Sequence, residues 1–261
     1  MENEKERHPA GASVQGKKIS VIIAAGGSAN RFKSGRDASV ERLLSKQFLL
    51  LDGKSLLMHA LEKFVRLKSI IEIIIVTNDV SSTDKLLSDI DFVNNIKIKT
   101  ILGGELRQDS VYNGFSAVDN STDLVIIHDV ARPLFQIEDV EKCIEAALVF
   151  GAAVLAVPVV DTIKHAVSDK DRLIVKNTID RSDLYLIQTP QVFNYNLLSQ
   201  AYKRFKGLDE IVTDEANMLE ILGEEVELIL GDRMNMKITY SEDLEIAEAI
   251  LKKVQTYFAI V

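Results

Sequence analysis

The sequence is poor in cysteine and contains no tryptophan. One cysteine, Cys143, occurs in 261 residues, so the chain can form no internal disulfide bond and no multi-cysteine metal site. This usage is typical of a reducing compartment, and we expect a cytoplasmic protein. No run of about 18 apolar residues occurs either. The sequence therefore predicts no membrane-spanning helix and no membrane partner.

An excess of basic charge is also absent. The formal net charge is −8, whereas nucleic-acid-binding proteins usually carry a basic face, so we expect no nucleic acid as a partner. The amino terminus is charged and contains no apolar signal segment, and we interpret residues 1–17 as a flexible N-terminal extension. The length suits one large α/β domain or two small ones, and we predict a single domain over residues 18–261.

Five short apolar runs predict the strands of a sheet. Most of them are solidly apolar rather than alternating, which is typical of parallel strands covered on both faces. Helix-patterned segments lie between them, and this order predicts an α/β fold with a Rossmann-like, doubly wound, mostly parallel sheet. The five runs are Ile19–Ala24, Glu72–Thr77, Ile96–Leu102, Leu124–His128 and Ala152–Val157.

The alternation of strands and helices breaks after Pro158. Residues 159–182 contain two β-branched stretches around the turn sequence SDKD, a pattern that predicts a β-hairpin. A hairpin that interrupts an α/β domain often projects from it, and its edges then need partners. We predict a protruding dimerisation arm, although the pattern alone supports a hairpin packed on its own domain equally well.

A glycine pair follows the first predicted strand. Ligands of open parallel sheets bind beyond the carboxyl ends of the strands, so residues 25–27, with Arg31 and Lys46 downstream, form a candidate phosphate-binding loop. The loop is not a G-x-G-x-x-G fingerprint, because Ser28 and Arg31 stand where glycines are required, and the chain contains no P-loop. A lone cation after a glycine turn is more often a solvated surface residue.

Polar and charged residues also follow the later strands and segments. Together they place cations, threonines and glycines at one edge of an acidic protein, an arrangement that would attract a polyanion. They are Gly104, Arg107 and Ser110 after the third strand, Asp129 and Arg132 after the fourth, Thr162 and Lys164 after the fifth, and then Thr189, Thr213, Asp214, Asn235 and Lys237.

Seven motifs occur in a fixed order between about residues 19 and 255. They are AAGG…R…KQFL, GGExRxxSV, HDVARP, VPVVDTIK, RxxLYxIQTPQVF, TDEA and GxxxNxKITxxEDL. In this combination the chain resembles the 2-C-methyl-D-erythritol 4-phosphate cytidylyltransferases of the non-mevalonate isoprenoid pathway. The resemblance implies a nucleotidyltransferase that joins CTP and this sugar-alcohol phosphate to give 4-diphosphocytidyl-2-C-methyl-D-erythritol and pyrophosphate.

The resemblance also implies roles for individual residues. The catalytic positions match Arg31 and Lys46, which stabilise the charge of the CTP phosphates, and Arg181 and Lys237, which position the acceptor phosphate. The nucleotide-binding positions match Ala24, Ala25, Gly26, Gly27, Gly104, Glu105, Ser110 and Asp129. The substrate-binding positions match Asp129, Arg132, Thr162, Thr189 and Thr213.

The assembly and the cofactor follow from the same resemblance. In this family the residues that match Thr162 and Arg181 come from the arm of the neighbouring subunit, so a homodimer formed through the β-arm is implied. The attacking phosphate monoester, with a second pKa of about 6, is already ionised near neutral pH and needs no histidine base. We therefore expect His128 to be structural. We assign no protein ligand to a metal and expect Mg²⁺ held mainly by the CTP phosphates.

The first loop departs from the family pattern. It is one residue longer, lacks the second spaced glycine, and leads into a lengthened segment from Arg31 to Lys46 in which Arg36 or Arg42 could share the work of Arg31. Two other functions stay open. One is a ribitol-5-phosphate cytidylyltransferase, which the forms HDVARP, DTIK and TDEA disfavour. The other is a non-catalytic CTP-binding regulatory dimer, which would not need Arg181 and Lys237.

Overall fold

A computed structural model describes residues 14–26, 45–88, 96–205 and 212–260, with side chains described as far as residue 253. Most of the predicted N-terminal extension therefore lies outside the described residues. At its end, Val14 packs against the core, and its carbonyl oxygen accepts a hydrogen bond from the Lys17 N–H at 3.1 Å.

The strands form one large sheet and two small ones. In chain order the described strands are β1 (Ile19–Ala24), β2 (Leu50–Leu51), β3 (Lys54–Ser55), β4 (Ile70–Thr77), β5 (Lys97–Leu102), β6 (Leu124–Asp129), β7 (Ala152–Pro158), β8 (Ile163–Asp169), β9 (Arg172–Ile179), β10 (Tyr185–Asn194) and β11 (Glu227–Leu230). The large sheet has the order β11-β7-β10-β6-β1-β4-β5. Its neighbours are parallel except at β10, which runs antiparallel to β6 and β7.

Helices cover both faces of the large sheet. The described helices are α1 (Leu56–Phe64), α2 (Val80–Ser88), α3 (Arg107–Ser116), α4 (Ile137–Phe150), α5 (Tyr195–Phe205), α6 (Glu215–Ile221) and α7 (Ser241–Ile260), with a 3-10 helix at Lys46–Phe48. One core contains residues of α1, α4 and α7, and the other contains residues of α3, α5 and α6. None of the helices in the described ranges is both long and apolar enough to span a bilayer.

The strand β1 shows why the apolar runs predicted this fold. Ile19, Val21 and Ile23 pack into the core of α1 and α4, whereas Ile22 packs into the opposite core. All four side chains are buried. A strand that buries both faces has no polar alternation, so the solid apolar run is the expected pattern. The doubly wound, mostly parallel α/β architecture is confirmed.

The strand β10 was missed by the sequence prediction. It contains the polar sequence QTPQ, and a proline is unusual in the middle of a sheet. The register shifts between Ile187 and Gln191, so the proline sits where the regular ladder is interrupted. The buried amides find side-chain and loop partners: Gln191 Nε2 donates to Asp214 Oδ2 at 2.9 Å, and Gln188 Nε2 donates to Asp232 O at 2.9 Å.

The predicted hairpin is present as β8 and β9, which pair antiparallel in a separate two-stranded sheet. Its side chains are largely exposed, including Leu173 at 82% and Val175 at 56%. Exposed apolar side chains on a paired hairpin are typical of a contact surface. Its role as a dimerisation arm stays a prediction.

The helix α3 approaches the sheet closely at Gly114. A Cβ at this position would lie 2.7 Å from Val76 Cγ2 and 2.8 Å from Ile22 Cγ2, which is too close for a carbon contact. We expect Gly114→Ala to lower the free energy of unfolding by about 1–3 kcal/mol, because overpacking outweighs the roughly 1 kcal/mol that alanine gains as a helix former.

Urea unfolding of the purified variants measures this effect. The matched control is Ser116→Ala on the exposed side of α3, for which we expect a change within about 0.5 kcal/mol. A Gly114→Ala variant as stable as the wild type would show that the helix has room to move away from the sheet.

Candidate active site

A cleft of about 350 Å³ opens at the carboxyl ends of β1, β4, β5 and β6. In the sheet, β1 has β4 on one side and β6 on the other. The strand order therefore reverses direction at β1, and the cleft lies at this switch point. Nine predicted site residues line it: Ala24, Ala25, Gly26, Lys46, Gly104, Glu105, Ser110, Asp129 and Lys237. The lining also includes Asn78, Leu106, Arg107, Val130 and Ala131.

Glycines at two strand ends let the backbone approach polar side chains in the cleft. Asn78 Nδ2 donates to Gly26 O at 2.6 Å, and a Cβ on Gly103 would lie 2.8 Å from Asn78 Oδ1. Ser110 Oγ accepts a hydrogen bond from the Gly104 N–H at 3.0 Å. A larger residue at these positions would displace the polar side chains. The glycines therefore keep this side of the cleft narrow and polar, and a phosphate chain or a base could lie against its backbone atoms.

Four charged side chains of alternating sign cross the back of the cleft. Arg107, the first residue of α3, donates from Nη1 to Glu215 Oε2 at 3.0 Å and from Nε to Asp129 Oδ1 at 3.1 Å. The other oxygen of Asp129, Oδ2, accepts from Lys237 Nζ at 2.5 Å. The chain Glu215–Arg107–Asp129–Lys237 thus joins α6, α3, β6 and the segment before α7, and we call it the charge chain.

Burial and charge act in opposite directions on the two carboxylates of the charge chain. Burial raises the pKa of Asp129, but Arg107 and Lys237 outweigh it and hold that pKa well below its usual range. In Glu215 burial prevails over the attraction of Arg107, and the pKa is raised. Asp129 is therefore an anion at neutral pH, fixed between two cations.

The segment that carries Lys237 is tied to the cleft by main-chain contacts. The Ile238 N–H donates to Ala131 O at 2.8 Å, and Lys46 Nζ donates to Ile238 O at 2.9 Å. These bonds hold Lys46 and Lys237 on the same side of the cleft, although the two residues are 191 positions apart in the sequence. A cationic wall results from two distant parts of the chain.

Two predicted acceptor residues make contacts within the fold beside the cleft. Arg132 donates from Nη1 to Asn235 O at 2.8 Å and from Nη2 to Ile187 O at 3.2 Å, and burial lowers its pKa. Thr189 is buried, and its Oγ1 accepts a hydrogen bond from the Asp129 N–H at 3.0 Å. Neither residue is among those that line the cleft, and their predicted role in substrate binding stays a prediction.

Other predicted residues lie away from the cleft or outside the described ranges. Thr162 and Arg181 are exposed at the base of the β8–β9 hairpin, where Arg181 Nη1 donates to Val160 O at 2.5 Å. Thr213 is exposed just before α6. Gly27 and Arg31, together with Arg36 and Arg42, fall outside the described residues.

The sequence predicted no role for Asn78 or Glu215, and it placed Arg107 at the sheet edge only as one of several groups that would attract a polyanion. Asn78 directly follows β4 and could have been found by reading every strand end. Arg107 and Glu215 each lie inside a motif that was recognised, GGExR and TDEA, but their pairing spans 108 positions. Two opposite charges in separate motifs were the available signal, and only the tertiary structure shows that they meet.

The described residues contain no group of three or more His, Cys, Asp and Glu side chains that could hold a metal ion. Two carboxylates line the cleft, Glu105 and Asp129, and Asp129 already accepts hydrogen bonds from two cations.

Comparison with known proteins agrees with this geometry. The family model described as 2-C-methyl-D-erythritol 4-phosphate cytidylyltransferase (IspD) matches residues 19–253. A protein of this name from Clostridium botulinum is 41% identical over 240 residues, which cover 90% of this chain and 98% of the relative. A chloroplastic relative of the same name from Oryza sativa is 38% identical over 243 residues, covering 93% of this chain and 77% of the relative.

Solved structures give the same picture. The crystal structure of 4-diphosphocytidyl-2C-methyl-D-erythritol synthase from Anaerococcus prevotii superposes with a TM-score of 0.74 at 30% identity, covering 90% of this chain and 96% of that one. The 2-C-methyl-D-erythritol 4-phosphate cytidylyltransferase from Thermus thermophilus has a TM-score of 0.69 at 28% identity, covering 90% and 99%.

Proposed function

The chain belongs to the 2-C-methyl-D-erythritol 4-phosphate cytidylyltransferase family, and we propose that it transfers the cytidylyl group of CTP to 2-C-methyl-D-erythritol 4-phosphate. The products are 4-diphosphocytidyl-2-C-methyl-D-erythritol, an intermediate of isoprenoid precursor synthesis, and pyrophosphate. The observation that carries the proposal is the cleft at the switch point, where Lys46, Arg107 and Lys237 face a glycine-rich turn.

We place the nucleotide beyond the carboxyl ends of β1, β4 and β5, in the part of the sheet formed by the first half of the chain. The triphosphate lies against residues 25–27, with Lys46 and Arg31 neutralising its charge. Of these, residue 27 and Arg31 lie outside the described residues. Gly104, Glu105 and Ser110 hold the rest of the nucleotide. Cytidylyltransferases generally use a divalent cation, and we propose that Mg²⁺ enters with CTP, held by phosphate oxygens and water.

We place the acceptor phosphate near Lys237. Its oxygen attacks the α-phosphorus of CTP, a bond forms between them, and pyrophosphate leaves with the electron pair of the broken P–O bond. The attacking oxygen is ionised, so the protein has to align two anions and offset their repulsion rather than remove a proton. Lys237, Arg107 and Asp129 supply a fixed pattern of charge for that purpose.

The assay that tests the proposal is pyrophosphate release by the purified chain with CTP and Mg²⁺. We expect release with 2-C-methyl-D-erythritol 4-phosphate and none with ribitol 5-phosphate. Release with ribitol 5-phosphate alone would assign the chain to CDP-ribitol synthesis. CTP binding by calorimetry without release from either acceptor would favour a non-catalytic binding protein.

We propose that the active form is a homodimer in which the β8–β9 hairpin reaches the partner's cleft. The hairpin carries Thr162 and Arg181, which lie away from the cleft of their own chain, and it exposes apolar side chains such as Leu173. A partner would cover that surface and bring the two polar side chains to a site that otherwise lacks them.

Mixing two inactive variants tests this arrangement. Arg181→Ala and Lys237→Ala subunits, co-expressed with different tags, are expected to recover about a quarter of wild-type activity, because about half of the dimers are mixed and each has one intact site. The control pair is Lys46→Ala with Lys237→Ala, both in one cleft, for which we expect no recovery. Recovery by neither pair would place Arg181 outside the partner's site.

We also propose that the enzyme acts in the cytoplasm. Cys143 is the only cysteine of the 261-residue sequence, and such sparing use is typical of proteins of a reducing compartment. The rice relative is named as chloroplastic, so cell fractionation with an antibody to this chain is the measurement that decides between the two locations.

A further inference from the structure

The imidazole of His128, the residue before Asp129, is a fully buried polar group next to the cleft. His128 has no exposed surface, and its Nδ1 lies 3.0 Å from Thr189 Oγ1. The same Oγ1 accepts the hydrogen bond from the Asp129 N–H at 3.0 Å. A chain of two hydrogen bonds therefore connects His128 to the main chain of Asp129 through Thr189.

This connection lies where the backbone ladder between β6 and β10 ends. The last main-chain pair is Ile127 with Gln191, and the register of β10 shifts beyond it. Two positions further along β6 the Asp129 N–H is bound by a side chain, Thr189, instead of a strand carbonyl. The position of the Asp129 main chain on this side thus depends on where the Thr189 hydroxyl is held.

The imidazole is neutral, and it is surrounded by aromatic rings. Burial lowers the pKa of His128 to about 3, so the ring carries no charge at neutral pH. Its centroid lies 5.4 Å from that of Phe64 and 4.6 Å from that of Phe135, in edge-to-face arrangements. Two functions are thus possible for the ring: filling space between Phe64 and Phe135, or holding the Thr189 hydroxyl.

We propose that His128 is a positioning residue for the transfer reaction, acting through Thr189 to fix Asp129 between Arg107 and Lys237. The proposal rests on the proposed function. The Asp129 carboxylate holds Lys237 Nζ at 2.5 Å, so a shift of the β6 end moves the cation that faces the acceptor. A displacement of about 1 Å in a catalytic group can cost about 10²-fold in rate.

Two substitutions separate the two functions of the ring. His128→Phe keeps an aromatic ring between Phe64 and Phe135 but has no atom to bond the Thr189 hydroxyl. The hydroxyl oxygen still accepts from the Asp129 N–H, but its proton is left buried without an acceptor. His128→Asn loses the ring but places a polar atom near the position of Nδ1. We expect kcat/KM to fall about 10²-fold in His128→Phe, mostly in kcat with the KM for CTP unchanged, and less than about tenfold in His128→Asn.

The outcomes are distinct. Unchanged activity in His128→Phe overturns the proposal. If both variants fold, a loss in His128→Asn that equals or exceeds the loss in His128→Phe also overturns it, because a packing role predicts the larger loss in His128→Asn. If His128→Asn does not fold, the cycle of His128→Phe with Thr189→Val decides: we expect the double variant to lose no more than the worse single one, and additive losses overturn the proposal. A wild type that releases no pyrophosphate with either acceptor would instead count against the proposed function.

Discussion

Glu215→Gln is expected to lower the free energy of unfolding by about 3 kcal/mol. Glu215 is 1% exposed, and the substitution removes the charge that faces Arg107 across 3.0 Å. Breaking a buried ion pair leaves its other member uncompensated, at a cost of about 3–5 kcal/mol, and the lower end applies because Arg107 keeps its contact with Asp129. Urea unfolding followed by circular dichroism gives the value.

The paired substitution distinguishes stability from catalysis. In Arg107→Met/Glu215→Met both charges are replaced by apolar side chains of similar length, which in buried pairs is often neutral or stabilising. We expect the double variant to unfold within about 1 kcal/mol of the wild type, yet to lose about 10²-fold in kcat/KM because Asp129 is no longer held on the α3 side. A stable and fully active double variant would show that the charge chain serves folding alone.

For the single variant Arg107→Met we predict a loss of stability that depends on pH. Glu215 would then be buried without its cation, so its folded-state pKa would rise further above the usual value of 4.5. A raised folded-state pKa means that the folded state binds the proton more tightly, and its stability falls as pH rises through that window. We expect the destabilisation relative to wild type to be larger at about pH 8 than at about pH 5, and a pH-independent difference would contradict a buried, ionised Glu215.

The central parallel strands could be predicted because β1, β4 and β6 are buried on both faces. The run Leu124–His128 became β6 with one residue added, and the run Glu72–Thr77 became β4 with two residues added at its start. The alignment of these strand ends also brought Gly26, Gly104 and Asp129 into one cleft, as the sequence predicted. A solid apolar run predicts both a strand and its place in a parallel sheet. The edge of the sheet at which a ligand would bind can then be predicted from the direction of the strands.

The antiparallel strand β10 and the charge chain could not be predicted in the same way. Gln188 and Gln191 are buried only because loops far away in sequence offer partners, and no local pattern contains those partners. Arg107 and Glu215 likewise meet across 108 positions. Arg181 lies at the base of its own hairpin in the single chain, so its place in a partner's cleft stays a proposal.

Lys237→Ala is expected to lower kcat/KM by about 10²–10³-fold while leaving stability nearly unchanged. The variant removes a positive charge from the place where we put the acceptor phosphate, and a fixed group that stabilises transition-state charge is typically worth that factor. Stability should change by less than about 1 kcal/mol, because the lysine side chain is 40% exposed and Asp129 keeps Arg107 as a partner. Steady-state kinetics with each substrate varied in turn measures the effect.

The KM values for the two substrates show which phosphate Lys237 binds, that of CTP or that of the acceptor. If it binds the acceptor, the KM for 2-C-methyl-D-erythritol 4-phosphate rises and the KM for CTP does not, whereas a rise in the KM for CTP alone would move Lys237 to the nucleotide side of the cleft. The control is Lys203→Ala, an exposed lysine of α5, which carries the same charge change away from the strand ends and should keep wild-type kinetics. Equal losses in the two variants would mean that overall charge, rather than the position of Lys237 beside Asp129, attracts the substrates.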